Sequence, residues 1–369
     1  MNEIRGTDAM DWTPDMPPGP IEGPDAWSGA EMAKNDDWIH HLTDDEIAEL
    51  EAASRAVMDS GADLLDIGRD EFPLPTFGAT VLEMRNELLR GRGFVLIRGL
   101  PVEHLGREMA GIAYWGIGAH LGHARPQNAH GHLLGHVRDI GYDSLKNPEH
   151  RIYQTTQRQY YHTDTADIVG LLCLQQAKSG GASSIISSVS IYNEMLRADP
   201  DLTAVMFHPF YIDHRGEVPP DSPPYYPVPT FNYVDGRLSS LYVRQYIESA
   251  QRFPDVPCLS DKQIAALDLM DAVMYDGDLA LEMHFRPGDI QILHNPQIFH
   301  GRLPFEDWPE PERKRHLLRL WLCPPDGRTL PHWYAGRWDS IEIGDRGGLS
   351  VDGMVRKAPL RFEDALPGA

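Results

Sequence analysis

The chain has 369 residues, with 55 acidic against 33 basic side chains and a formal charge of −22 at pH 7. That balance excludes nucleic acid and anionic membrane as main partners, because both demand a basic surface. It leaves room for a small-molecule partner, since local basic groups can line a pocket inside an acidic protein. The 41% of apolar residues is enough for a sizeable core. No run reaches the roughly 18 uncharged apolar residues of a transmembrane helix. The opening residues, Met1 to Asp8, lack the basic and apolar regions of a secretory signal. Cys173, Cys258 and Cys323 are dispersed and odd in number, which fits neither a disulfide framework nor a zinc site. A soluble, cytoplasmic protein is expected.

In chain order, residues 1–40 carry Pro14, Pro17, Pro18, Pro20 and Pro24 without a hydrophobic period, and read as an extended arm. Trp27 and Trp38 are its candidate anchors. Thr43-Asp44-Asp45-Glu46 is a capping box, followed by Ile47, Leu50, Ala53 and Val57 at helical spacing up to Ser60. Further helices are expected over about 79–89 and 102–117, with a short apolar strand at Gly93 to Leu100 between them. From about Gly131 the pattern changes to strands and turns. Ile168 to Gln176 reads as a buried strand, Gly180-Gly181 as a turn and Ala182 to Ser188 as the return strand. A helix follows over about 189–197. Residues 208–245 look irregular, with a proline cluster at 219–224 and a hairpin turn at Asp235-Gly236. A loop of this length is often a lid. A helix over 260–275 and strands at 279–285, 289–293 and 315–322 complete the body. No repeat or clean linker is visible, so residues 41–369 read as one domain with an insertion at about 208–245.

The chemistry centres on Tyr160-Tyr161-His162-Thr163-Asp164. On extended backbone, residues two apart share a face, so His162 and Asp164 offer two adjacent corners of a metal site. His300 is the best third ligand. Two histidines and one carboxylate form the facial triad of non-haem iron(II) oxygenases, which leaves positions open for co-substrate and oxygen. In isolation a His-x-Asp in a chain with 17 histidines is weak. Downstream, Arg315, Leu317, Arg319 and Trp321 share one face of an apolar strand. Buried guanidiniums require anions, supplied by acidic side chains or by a ligand carboxylate held in a bidentate fork.

Taken together, His162-x-Asp164, Gly180-Gly181-Ala182-Ser183, Pro287-Gly288-Asp289, His300-Gly301-Arg302 and Arg315-x-x-x-Arg319 occur in an order that resembles the taurine dioxygenase and clavaminate synthase group. These are iron(II)/2-oxoglutarate-dependent oxygenases, and the resemblance covers about Phe94 to Leu322. It implies an α+β fold whose core is a double-stranded β-helix (jelly roll) flanked by helices. It implies a dioxygenase that uses Fe(II), 2-oxoglutarate and O2 to oxidise a small molecule, most simply by hydroxylation, while 2-oxoglutarate becomes succinate and CO2. His162, Asp164 and His300 match its metal ligands. Arg315 matches the arginine that binds the distal carboxylate of 2-oxoglutarate, with Arg313 as a rival because residues 305–312 form a polar insert. Ser183 matches a Thr or Ser at the same carboxylate, with Ser184 one residue away. Arg319 matches a position that meets an anionic group of the substrate in some members, and Tyr161 and Asn295 flank the ligands as further substrate candidates. Halogenases of this superfamily carry Gly or Ala where this chain has Asp164, which favours hydroxylation and leaves desaturation, epoxidation and ring closure open. Two alternatives remain on sequence: a cupin-like metal enzyme that does not use 2-oxoglutarate, and a non-catalytic jelly-roll binding protein. His208, His214, His294, His316 and His332 have no ligand spacing and read as ordinary polar or packed histidines.

Overall fold

The computed structural model of the chain describes residues 14–141, 151–275, 277–338 and 340–366. The helix Asp44–Ser60 begins with both bonds of its capping box in place, Glu46 N–H to Thr43 Oγ1 and Thr43 N–H to Glu46 Oε2. It stops at Gly61, whose φ of +65° is the left-handed conformation that glycine adopts without steric cost. Helices Phe77–Arg90 and Val102–Leu121 join it. The expected single helix after residue 101 is two segments, because Gly106 takes φ +77° and ψ 162°.

Two sheets follow from the strand pairings. In the larger, Ile39–His41, Phe94–Arg98, Ile290–His294, Ile168–Gln175 and His316–Cys323 lie side by side, and His123–Ala124 and Leu134–Arg138 both pair with the last of these. All contacts are antiparallel except the first. The smaller sheet runs Leu281–Met283, Ser183–Ser187, Ile298–Arg302 and Gln159–His162, antiparallel throughout.

Period-two alternation sorts the side chains into layers. Val95, Ile97, Ile290, Ile292, Leu318 and Leu320 face the helices 44–121. Their neighbours Phe94, Leu96, Leu293, Leu317 and Trp321 face the smaller sheet and meet Ile185, Met283 and Ile298. Beyond the smaller sheet, Ile186 and Phe299 pack on the helices Ser188–Ala198 and Asp261–Tyr275 and on two hairpins. One hairpin, Phe231–Val234 with Arg237–Ser240, turns at Asp235-Gly236 as its sequence predicts. The other, Pro209–Asp213 with Tyr225–Pro229, brackets the proline cluster, so the stretch expected to be irregular is largely strand.

The arm is anchored from residue 14 onward, and its residues 1–13 lie outside the described ones. Trp27 is buried in the inter-sheet core, donates from Nε1 to Arg92 O at 2.8 Å, and meets Phe94 edge-on at 5.0 Å. The Pro287-Gly288-Asp289 turn has a structural cause. A Cβ on Gly288 would lie 1.9 Å from Leu100 O, and buried Asp289 takes a bidentate fork from Arg98 at 2.9 and 2.8 Å. Among the described residues no helix is long and apolar enough to cross a membrane.

Candidate active site

Strand register builds the centre. His162 ends the strand Gln159–His162 and lies directly opposite His300 in Ile298–Arg302, which brings their rings to 4.4 Å. Asp164 does not share that strand, contrary to the alternation argument. It sits in the loop that follows, and Asn295 holds the loop: Asp164 N–H donates to Asn295 Oδ1 at 2.7 Å, and Asn295 Nδ2 donates to Asp164 O and Ala166 O at 2.7 and 2.8 Å. Asn295, expected at the substrate, therefore shapes the ligand loop. The outcome is that His162, Asp164 and His300 offer ligand atoms that all lie within 4.8 Å of one another. His162 Nε2 is 3.6 Å from Asp164 Oδ1, and His300 Nε2 is 3.7 Å from Asp164 Oδ2.

The protonation states suit a metal. His162 Nδ1 donates to Tyr160 O at 2.8 Å, which turns Nε2 toward the centre. Burial, with the neighbouring His300, pushes His162 down to about 4, so the imidazole is neutral near pH 7. Burial alone would raise the Asp164 carboxyl, but Arg319 and the two imidazoles outweigh it and hold the group well below the usual carboxylate range. Trp321 Nε1 donates to Asp164 Oδ2 at 2.8 Å and Arg319 Nη1 lies 3.4 Å from the same oxygen. Gln159 Nε2 donates to His162 Nε2 at 3.0 Å, so this amide must yield that atom to a bound metal.

Next to Asp164 and His300, a narrow cavity between the sheets is lined by Ser183, Arg302 and Arg315. Both arginines are 5% exposed. Nη1 of Arg315, and Nε and Nη1 of Arg302, have no hydrogen-bond partner among the described residues. Burial lowers Arg315 to about 10 and Arg302 to about 9. Neither arginine has a carboxylate within ion-pair distance among the described residues, and buried cations held that way are costly, so the cavity suits an anion. Ser183 pairs in register with Arg302, whereas Ser184 faces away and its Oγ lies 2.6 Å from the Tyr161 hydroxyl. Arg313 is outside, stacked 3.5 Å from the Trp308 ring and paired with Glu310. Sequence reasoning left Arg302 without a role; its two-residue offset from His300 was the available sign.

A cavity of about 970 Å³ opens above Asp164. Arg319 lies in its wall with Nε donating to Gln127 Oε1 at 2.7 Å and its guanidinium against the Tyr153 and Trp321 rings at 5.0 and 4.9 Å. Tyr161 also lines it, with its hydroxyl engaged by Ser184. Tyr242 and Arg244 bind Asp271 and are structural. His214, His294 and His316 are packed histidines bonded to Arg337, Gln297 and His136.

Comparison with known proteins gives the same reading. The sequence profile of the family described as taurine catabolism dioxygenase TauD, TfdA family matches residues 59–321. FR-33289 synthase of Streptomyces rubellomurinus is 32% identical over 320 residues, covering 85% of this chain and 93% of that protein. Taurine hydroxylase-like protein SAT17 of Stachybotrys chartarum is 27% identical over 315 residues, 81% of each chain. Among solved structures, an asparagine oxygenase in complex with Fe(II), 3-hydroxyasparagine and succinate shares the fold at a TM-score of 0.61 and 16% identity, over 77% of this chain and 93% of that one. A 2-oxoglutarate-independent cupin and a non-catalytic jelly roll find no support among these relatives. The match over most of the chain and the long, 32% identical relative establish that this protein belongs to the TauD, TfdA family of Fe(II)- and 2-oxoglutarate-dependent dioxygenases.

Proposed function

We propose that His162, Asp164 and His300 hold Fe(II), that Arg315, Arg302 and Ser183 receive the distal carboxylate of 2-oxoglutarate, and that the product is a hydroxylated small molecule. The observation that carries this reading is one ionised carboxylate and one neutral imidazole beside a second histidine, adjoining a cavity with two buried guanidiniums that each keep nitrogen atoms without a hydrogen-bond partner among the described residues. The donor set fits Fe(II), which is served by two nitrogens and one carboxylate. Bound iron supplies the oxidation of a C–H bond coupled to decarboxylation of 2-oxoglutarate.

The residues do the positioning. Asn295 fixes the backbone on both sides of Thr165, so Asp164 presents its carboxylate without rearrangement. Trp321 and Arg319 hold that carboxylate ionised and oriented. Arg315 and Arg302 approach the narrow cavity from the two sheets, so a dicarboxylate enters with its distal end against them and its other end toward Asp164 and His300. The insertion 208–245 and the helix Arg244–Ala250 wall the larger cavity through Arg215, Glu217, Tyr226 and Tyr246, which supports reading this region as the substrate-facing wall of a single catalytic domain. We read the two sheets as the double-stranded β-helix. In support, the strands beginning at 134, 159, 168, 183, 281, 290, 298 and 316 run large, small, large, small, small, large, small, large.

Anaerobic titration of the metal-free protein with Fe(II) and then 2-oxoglutarate tests the assignment. A weak visible charge-transfer band is expected only with both, lost in His162→Ala and weakened in Arg315→Ala. Iron uptake without a band would reject the co-substrate site, and absence of iron uptake would reject the metal centre.

A further inference from the structure

The large cavity carries the opposite charge to the rest of the molecule. Six arginines line it (151, 158, 215, 244, 319 and 337) against four carboxylates (Asp164, Glu217, Glu248 and Asp271), in a chain where acidic residues outnumber basic ones 55 to 33. The pairing is uneven. Arg319 faces Asp164 at 3.4 Å, and Arg244 is tied to Asp271 and Glu248 at 2.9 and 2.8 Å. Glu217 is left to two arginines, since Arg151 and Arg337 bind the same Oε2 at 2.9 and 3.1 Å. Arg215 has no carboxylate within ion-pair distance among the described residues, and its guanidinium lies over the Tyr246 ring at 5.3 Å.

These groups form one cluster at the metal side of the cavity. Arg151 donates to the Tyr246 hydroxyl and to Arg215 O, both at 3.2 Å. Arg337 Nε donates to Thr165 Oγ1 at 3.2 Å, one residue from Asp164, and its Nη1 donates to His214 Nδ1 and Glu217 O at 3.0 and 3.2 Å, so beside its Glu217 pair it contributes chiefly its charge. Arg215 is held at φ +54°, with its N–H on Asp213 Oδ1 at 2.8 Å. A non-glycine residue in that region costs about 1 kcal/mol or more, and such strain persists where the surroundings fix it.

We infer that Arg151, Arg215 and Arg337, framed by Tyr246, form a subsite for a tetrahedral oxyanion of the substrate, a phosphate or phosphonate dianion, and that the carbon to be oxidised lies between this group and Asp164. The inference rests on the oxygenase reading of the same cavity. Three guanidiniums against one carboxylate leave a surplus of two positive charges, which matches a dianion. Three cations from separate chain segments surround a multiply charged tetrahedral group, whereas a planar carboxylate is satisfied by one bidentate arginine. Arg319, the position that the family resemblance suggested for an anionic substrate, has its charge met by Asp164 at 3.4 Å, whereas Arg215 faces no carboxylate within ion-pair distance among the described residues, so the insertion and the C-terminal segment supply the charge that is left over.

The test uses the full chain loaded anaerobically with Fe(II) and 2-oxoglutarate, so that the co-substrate cavity is filled. It is titrated calorimetrically at low salt, at a pH above the second ionisation of methylphosphonate so that both phosphorus probes are dianions, with methylphosphonate, methyl phosphate, methanesulfonate and acetate. The two dianions bind with Kd on the order of 1 mM, and the sulfonate and acetate bind at least about tenfold more weakly. Arg215→Gln weakens methylphosphonate by about tenfold, the loss of one charged hydrogen bond, and Arg215→Lys restores part of it. Arg151→Gln weakens it at least as much. Methanesulfonate binding as tightly as methylphosphonate overturns the dianion class. No binding of any probe, or unchanged affinity in Arg215→Gln, overturns the subsite. The charge-transfer band of the same samples separates the two layers: a missing band overturns the oxygenase reading, while an intact band without probe binding overturns the oxyanion subsite alone.

Discussion

At the scale of single residues, the indole of Trp321 occupies one oxygen of Asp164 and leaves the other for the proposed metal. Its Nε1 lies 2.8 Å from Oδ2, with Arg319 Nη1 at 3.4 Å, which leaves Oδ1, 3.6 Å from His162 Nε2, as the freer donor. Trp321→Phe keeps most of the ring packing and removes the N–H. Partners of this kind are worth 10–100-fold in metal affinity by general experience, so the Fe(II) dissociation constant rises by about tenfold while 2-oxoglutarate binding at saturating iron changes little. Competition with a chromophoric chelator measures it, and an unchanged iron affinity would show that Trp321 only packs. Arg302 gives the converse. Arg302→Met removes one of two buried cations at the narrow cavity proposed for the co-substrate, and 2-oxoglutarate KM rises by about tenfold or more, since hydrogen bonds to charged groups are worth about 1.5–3 kcal/mol. Iron affinity stays. A loss of iron affinity with an unaltered KM would place Arg302 in support of His300 instead.

At the scale of elements, the arm is more than a tail. Trp27 is 4% exposed, in the core between the sheets, and Gly29 sits so close to the body that a Cβ would lie 1.9 Å from Ala280 O. Trp27→Ala costs about 3–5 kcal/mol by removal of a large buried aromatic. Limited proteolysis then cuts the arm before the body unfolds, and cleavage no faster than in the parent protein would rule out this docking. The sequence flagged Trp27 without the contact, because a tryptophan among prolines has no period to say what it meets. Elements with a local signal were readable: the Thr43 box, the Gly61 stop and the apolar run Ile168 to Gln175 all specify themselves. The strand Ile298–Arg302, which carries His300, was not. Every residue of it is buried, so it shows no alternation, and it contains His, Gly and Arg. The three residues proposed as ligands were singled out by the order of motifs along the chain, and the fold brings them together. The partners of those ligands were not, since Gln127 with Arg319 and Asn295 with Asp164 meet through pairings 192 and 131 residues apart.

Over the whole molecule, the buried histidines and the charge of −22 pull stability in opposite directions as pH falls. Acidification lowers the net negative charge and relieves self-repulsion, which favours the folded state. The histidines oppose this. Burial pushes His316 down to about 2 and His136 below its ordinary value, and it drives His294 far down. Each binds its proton in the unfolded chain near pH 6.5 and refuses it in the folded one. Their contribution is therefore complete above about pH 6.5 and is lost progressively below it, by up to about 1.4 kcal/mol per pH unit for each fully buried histidine. Three such groups outweigh a diffuse, salt-screened repulsion, so the denaturation midpoint falls between pH 6.5 and 5.5. The first local consequence lies at the C-terminal segment. His136 Nε2 donates to Pro359 O at 3.0 Å, which makes its Nδ1 the acceptor for His316 Nε2–H at 2.8 Å, and both rings meet Phe362. A further proton on His136 Nδ1 sets N–H against N–H, and one on His316 Nδ1 is a buried N–H without a partner among the described residues. His316→Gln retains a donor toward His136 and removes one titrating group, so its midpoint falls less steeply over the same interval, by about one proton's worth. Urea denaturation at pH 7.5, 6.5 and 5.5 for both proteins decides it. A midpoint that rises on acidification would mean that relief of charge repulsion governs, and equal slopes would mean that His316 is already protonated in the fold.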